Sequence, residues 1–401
     1  MTEQEKKLFE QAVEFFNKKD YDKSKVLYEE ILKINPKSSN IYGNLGVIYK
    51  IKGDINTAIK CYIEAIKLNP KNLLVYNNLG NAFKEIKNYK MAIRVYLDAL
   101  KINPKDFNMF NNLGIVFELI GDSNRAIEAY KQAVKINPKY AKAINNIGVV
   151  LYKQKRYKES AQIFEIALQS DSDYNEVYSN KGAAYNKAKD YDKAIESLEM
   201  AILKMPNHGG AYTNLGNVYN KLFDYKTAAK MHEKSIELEP NGSNAYSNLG
   251  TSYKYLGLSD KAIISYKKAI ELDPNFVNAH FDLATMYLAS EDFKNGWKEY
   301  EWRFKKEEMI PHIIKHKDIF SKPLFTGVED IKGKTLLLHS EQGYGDSIQF
   351  IRFAPQIKEI FGCKIAVKCR EGLKELFSTI EEIDVIVDRS EETPAFDYQL
   401  S

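Results

Sequence analysis

Proline stands at Pro36, Pro70, Pro104, Pro138, Pro206, Pro240 and Pro274, always at multiples of 34 residues, and Ser172 fills the one vacant place. A second series, Gly46, Gly80, Gly114, Gly148, Gly182, Gly216 and Gly250, keeps the same spacing, opens with Ala12 and closes with Ala284. Two series in phase require repeated copies of one short segment. A segment of 34 residues cannot bury its apolar face alone, so neighbouring repeats must stack and share a continuous core. The product is an extended solenoid in place of a globule.

Within one repeat the order is Tyr42, Leu45, Gly46, Tyr49, Ala58, Tyr62, Ala65 and Pro70. Tyr42, Leu45 and Tyr49 fall on one helical face, and Gly46 between them lets a second helix approach closely. Ala58 and Ala65 supply the matching flat surface, and Asn69-Pro70 ends the second helix because the residue before proline is pushed out of the α region. This order resembles the tetratricopeptide repeat (TPR), a pair of antiparallel helices. The resemblance implies nine hairpins over residues 5–310, an all-α right-handed superhelix whose concave face holds extended segments of other proteins. The stripe of tyrosine and phenylalanine then reads as core, and so does His280 in the Tyr42 place of the last repeat.

Composition narrows the alternatives. The 401 residues carry 58 Lys and Arg against 54 Asp and Glu, with no concentrated basic face, so nucleic acid is not an expected partner. No apolar run approaches the ~20 residues of a membrane span. The opening MTEQEKKLFE lacks the apolar centre of a secretory signal, so a cytoplasmic location is expected. Cys61, Cys363 and Cys369 form neither a CxxC nor a cluster with metal spacing, and no metal is expected.

A third series stands two residues before each glycine: Asn44, Asn78, Asn112, Asn146, Asn180, Asn214 and Asn248, closed by Asp282. Asparagine costs up to ~0.7 kcal/mol against alanine inside a helix, so its recurrence needs a reason. It lies off the Tyr/Leu packing face. An amide both donates to a carbonyl and accepts from an N–H, which is the pairing any peptide backbone offers. One reading is therefore a ladder that grips backbone; the other is a brace between adjacent repeats. The Asn-Leu-Gly order, clearest in Asn214-Leu215-Gly216-Asn217-Val218-Tyr219, resembles the O-linked N-acetylglucosamine transferases, and that resemblance implies the grip. Lys181, beside Asn180, departs from the order. Asn77, Asn111 and Asn145, one place earlier, read as polar linings without specificity.

The ninth repeat drifts: Gly296 replaces alanine, Glu308 replaces proline, and both tryptophans lie in Trp297 to Trp302. It either seals the stack or receives a following domain. A connector over 311–332 carries Pro311 and Pro323. Thr335 to His339 then reads as a strand, Ser347 to Phe361 as a helix, Lys364 to Cys369 as a strand, Glu371 to Ile380 as a helix and Asp384 to Asp388 as a strand, with a fourth strand begun at Phe396 to Leu400. Such alternation argues for a partial, Rossmann-like α/β domain with a parallel sheet over 333–401.

Gly343 and Gly345 follow the first strand, but Ile348 occupies the third place of a dinucleotide fingerprint, which excludes nicotinamide binding. Gly343-Tyr344-Gly345-Asp346, with Phe350, Arg352 and Pro355, resembles the first strand-to-helix turn of heptosyltransferase-like glycosyltransferases of two-domain (GT-B) architecture. Together with the Trp297 to Arg303 block it resembles bacterial proteins that fuse TPR arrays to that domain. The resemblance implies a phosphate-side turn at Gly343 and Gly345 and a general base at Asp346, since a carboxylate there can take the proton of an attacking hydroxyl. The competing role for Asp346 is a helix N-cap. With the sheet cut short at Ser401, no cofactor is expected in this chain, and a nucleotide sugar only with a downstream donor domain. Two functions follow: a peptide-binding module, or the N-terminal portion of an O-glycosyltransferase acting on protein or surface-glycan acceptors.

Overall fold

The computed structural model describes residues 2–306, 309, 317–340 and 343–400. Glu308, Pro311 and the Glu341-Gln342 pair lie outside the described residues. The chain divides into two compact bodies, Met1–Leu272 and Asp273–Ser401.

The first body is a run of eight hairpins: α1 (Glu3–Asn17) with α2 (Tyr21–Ile34), α3 (Ser39–Ile51) with α4 (Ile55–Leu68), α5 (Leu73–Glu85) with α6 (Tyr89–Ile102), α7 (Phe107–Leu119) with α8 (Ser123–Ile136), α9 (Ala141–Lys153) with α10 (Tyr157–Ser170), α11 (Glu176–Ala188) with α12 (Tyr191–Lys204), α13 (Gly209–Lys221) with α14 (Tyr225–Leu238), and α15 (Ser243–Tyr255) with α16 (Ser259–Leu272). A ninth, α17 (Val277–Ala289) with α18 (Phe293–Tyr300), opens the second body.

Each hairpin closes on one contact. A Cβ placed on Gly46 would lie 2.4 Å from the Tyr62 ring, on Gly80 2.4 Å from Tyr96, on Gly114 2.5 Å from Tyr130 and on Gly250 2.7 Å from Tyr266. Phe164, Leu198 and His232 fill the same place opposite Gly148, Gly182 and Gly216. The partner always follows sixteen residues later, so a bulky side chain of the second helix lies flat on bare backbone of the first. These rings are fully buried.

The turn inside each hairpin is equally uniform. The seventh residue after the repeat glycine is left-handed in all nine: Lys19, Gly53, Lys87, Gly121, Lys155, Lys189, Phe223, Gly257 and Glu291. Behind it Asp20, Asp54, Asn88, Asp122, Asp190, Asp224 and Asp292 cap the second helices, each side chain accepting from a backbone N–H three residues on. Such caps satisfy donors that a helix start leaves open.

In the second body β1 (Thr335–His339), β2 (Lys364–Cys369), β3 (Val385–Asp388) and β4 (Tyr398–Leu400) form one parallel sheet in the order β3-β2-β1-β4. One face carries Leu336, Ile365 and Val367 against Phe325 and Phe377; the other carries Leu337 and Ala366 against Ile319. Both faces are covered, as a parallel sheet requires. The single helix expected over Ser347 to Phe361 is instead two, Tyr344–Ile351 and Ala354–Phe361. Pro355 has no N–H for the carbonyl four residues back and clashes with it, so the first helix stops at Ile351. The helix expected over Glu371 to Ile380 shrinks to Lys374–Phe377, because Gly372 is left-handed at φ 82°. Phe304 packs on Phe320 and Phe320 on His339, each with ring centroids 5.5 Å apart, an aromatic path from the end of the ninth hairpin to β1.

His232 is the odd member of the ring series. Its Nε2 lies 3.3 Å from Nδ2 of Asn220, which can only donate, so the ring proton sits on Nδ1, which has no partner. Burial pushes this imidazole down to about 4. An unfolded histidine titrates near ~6.5, so between those values the unfolded chain binds a proton that the folded one refuses. Stability therefore falls as pH drops through that window.

Two measurements check this account. Gly46→Ala should lose ~1–3 kcal/mol in urea unfolding through overpacking, whereas Gly43→Ala, three residues away in α3, meets only Val75 Cγ2 at 3.4 Å and should gain up to ~1 kcal/mol of helix propensity. His232→Tyr should remove an acid-linked loss of roughly 2 kcal/mol between pH 7.5 and pH 5; an unchanged difference between the two pH values would rule out His232 as its source.

Candidate functional site

Asn44, Asn78, Asn112, Asn146, Asn180, Asn214, Asn248 and Asp282 are all half-buried on the first helices, between buried and half-buried neighbours. Successive first helices touch directly, α3 on α5, α9 on α11, α11 on α13 and α13 on α15. In four junctions the series residue meets the residue three places before the preceding repeat glycine.

Four amides close the gap between helices. Nδ2 of Asn112 donates to Oδ1 of Asn77 at 2.6 Å, Asn146 to Asn111 at 3.0 Å, Asn180 to Asn145 at 3.1 Å, and Asn214 to Oγ of Ser179 at 3.3 Å. Asn77, Asn111 and Asn145, polar linings by sequence, are the acceptors of these rungs. Lys181 does not disturb Asn180; its ammonium lies 5.9 Å from the Tyr185 ring centre.

The rest of the series shows what a rung needs. Asn44 donates to the Tyr28 hydroxyl at 3.2 Å. Asn78 would need an acceptor at Gly43, which has no side chain, and among the described residues the Asn78 amide makes no hydrogen bond. Thr213, at the place in the preceding repeat that would serve Asn248, is paired with the Ser235 hydroxyl at 2.7 Å. The amides are thus not free on both sides. In the four rungs the N–H half is used between helices, and among the described residues each Oδ1 is left as an open acceptor of fixed direction.

Charge along this surface is uneven. Seven residues after Asn77, and so on the same helical stripe, burial and the charges of Lys50 and Lys142 hold the Lys84 ammonium below the ordinary lysine value. Lys50 itself pairs with Glu85 at 3.2 Å. Among the described residues no group of three His, Cys, Asp or Glu could hold a metal, and no helix is long and apolar enough to cross a membrane.

In the second body Gly343 is the N-cap of helix Tyr344–Ile351, Gly345 lies in its first turn, and Asp346 is the third helical residue. Asp346 is therefore not the cap, contrary to one expectation: the helix starts three residues before Ser347, and no side chain caps it. The Asp346 carboxylate is exposed. His280 is buried as expected, with its ring stacked on Trp302 at 3.8 Å and its nitrogens against the Glu299 carboxylate and the Pro274 carbonyl.

Stacked hairpins with a polar, inter-braced surface on their first helices define a TPR protein-interaction module. Residues 4–244 match the family model described as "Cilia and flagella-associated protein 70 C-terminal domain", and the chain belongs to that family. Tetratricopeptide-repeat models match 243–276 and 265–300. No curated protein matches the chain. Among solved structures, a tetratricopeptide repeat protein from Parabacteroides merdae aligns with TM-score 0.51 at 18% identity, over 63% of this chain and 99% of that one. The APC/C hetero-tetramer Cut9-Hcn1 aligns with TM-score 0.52 at 16% identity, over 74% of this chain and 58% of that one. At these identities the likeness is one of fold.

The rungs predict a repair. Gly43→Asn supplies the acceptor that Asn78 lacks, and a double-mutant cycle with Asn78→Ala, followed by urea unfolding, should show a coupling of ~0.5–1.5 kcal/mol. A coupling of zero would mean that an acceptor at this place is not what a rung requires.

Proposed function

We propose that the first-helix face of this array grips extended polypeptide by its backbone. The observation that carries the reading is the row of asparagine Oδ1 atoms, each oriented by the hydrogen bond its own Nδ2 makes to the preceding hairpin. A side chain already ordered loses little further entropy when it accepts a peptide N–H. Backbone N–H groups recur whatever the side chains are, so this grip tolerates varied sequences. With helices ~9 Å apart and an extended chain rising ~3.3 Å per residue, one rung meets about every third residue, and the series follows roughly 15 to 20 residues.

A second reading is supported by the parallel sheet that follows the ninth hairpin within the same body. In it the array is the recruiting arm of an O-glycosyltransferase of which this chain is the N-terminal portion, and the exposed Asp346 takes the acceptor proton. In a longer form carrying a donor domain, Asp346→Asn should then abolish transfer from a labelled nucleotide sugar.

The grip is separable from the brace. Replacing Asn112, Asn146 and Asn180 by alanine removes three braces and three acceptors, and capture of unstructured peptides should weaken roughly 10- to 2,000-fold, at ~0.5–1.5 kcal/mol for each of three bonds. Replacing the brace partners Asn77, Asn111 and Asn145 removes the same braces but keeps the acceptors, so capture should weaken far less. Equal losses in the two sets would reduce the series to a structural brace.

A further inference from the structure

Outside the helical array, the carboxyl ends of β1, β2 and β3 gather an unusual set of groups. Arg370 directly follows β2 and Arg389 directly follows β3, and the pairing of Cys369 with Asp388 sets the two arginines level. Ser340 follows β1, and Arg389 donates to its backbone carbonyl. Among the described residues neither arginine pairs with a carboxylate. Arg370 Nε and Ser340 Oγ are both buried without a hydrogen-bond partner.

Buried donors are ordinarily satisfied, and two guanidinium groups side by side ordinarily have an anion between them. Burial and the Arg370 charge hold the Arg389 guanidinium below its usual value, which is the mark of two cations without a counter-ion. Helix Tyr344–Ile351 begins beside this edge with no side-chain cap, so its first N–H groups remain open to an anion. The Tyr344 ring lies 5.4 Å from Arg370 Cζ and is half exposed, a flat apolar surface at the rim. In open parallel sheets, the space outside the carboxyl ends of the strands is where ligands bind.

We propose that Arg370, Arg389 and Ser340 form a binding site for the phosphate group of a small molecule, independent of the peptide groove. A phosphate presents three oxygens and meets two guanidinium forks and a hydroxyl at once, whereas a carboxylate has only two.

The test is calorimetric titration of the full chain with inorganic pyrophosphate, with acetate as a second probe. Pyrophosphate should bind with a Kd at or below ~1 mM, weaken with added salt, and bind at least tenfold more tightly than acetate. Arg370→Gln should cost tenfold or more in Kd with unchanged circular dichroism and melting temperature, since its Nε has no partner to lose. Arg389→Gln should do the same to binding, although it also releases the Ser340 carbonyl. The site is refuted if pyrophosphate fails to bind the natural chain at ~10 mM, if acetate binds as tightly, or if Arg370→Gln binds pyrophosphate undiminished.

Discussion

Everything in the array rests on a ring lying against bare backbone. The glycine Cα and the facing side chain of Tyr62, Tyr96, Tyr130, Phe164, Leu198, His232 or Tyr266 set how close the two helices of a hairpin come. That spacing fixes where the next first helix lands. A methyl group at any of these glycines would separate the helices by displacing a buried ring, and the shift would pass to each later hairpin. The seven glycines therefore hold one geometry in common. The rungs depend on it, because an amide–amide hydrogen bond of about 3 Å between helices tolerates little drift.

The proposed grip uses the side the rings leave free. Two and three places before the glycine, polar side chains bond across helices in four junctions. The same amides that brace the stack also present carbonyl oxygens in a row. Under the proposed grip, stability and recognition are carried by opposite ends of one side chain, which would give a poor helix former a reason to recur at that position.

What could be read in advance, and what could not, follows from the kind of constraint. Pro70 and Gly46 act by sterics on their own repeat, so period, hairpin order and the all-helical class were legible. The strands Thr335 to His339 and Lys364 to Cys369 were legible as short apolar runs. A brace between adjacent repeats was one of the two readings of the asparagine series, but its partners were not legible, because Asn112 finds its acceptor thirty-five residues earlier, a distance no local pattern announces. Two further signals in phase were present but unread: the Asp/Asn cap at the eighth place after the glycine in seven of the nine repeats, and the left-handed residue before it, hidden because lysine, phenylalanine and glutamate occupy it six times and glycine three. At Asp346 the helix start was misplaced, since Gly343 ends the turn without a side-chain cap. The arginine pair was invisible for the reason the rungs were: Arg370 and Arg389 become neighbours only through sheet pairing.

The offset of each rung has a consequence for how such an array changes length. Every bond joins one fixed place in a hairpin to another fixed place in the hairpin before it, and neither end is unique to its repeat. Excision of residues 107–140 would carry Asn146 to the position that Asn112 holds over Asn77, and the joint would close as before. Duplication of the same stretch would add a rung identical to its neighbours. The array can therefore be lengthened or shortened in whole hairpins without inventing a new junction, a ruler whose divisions are interchangeable.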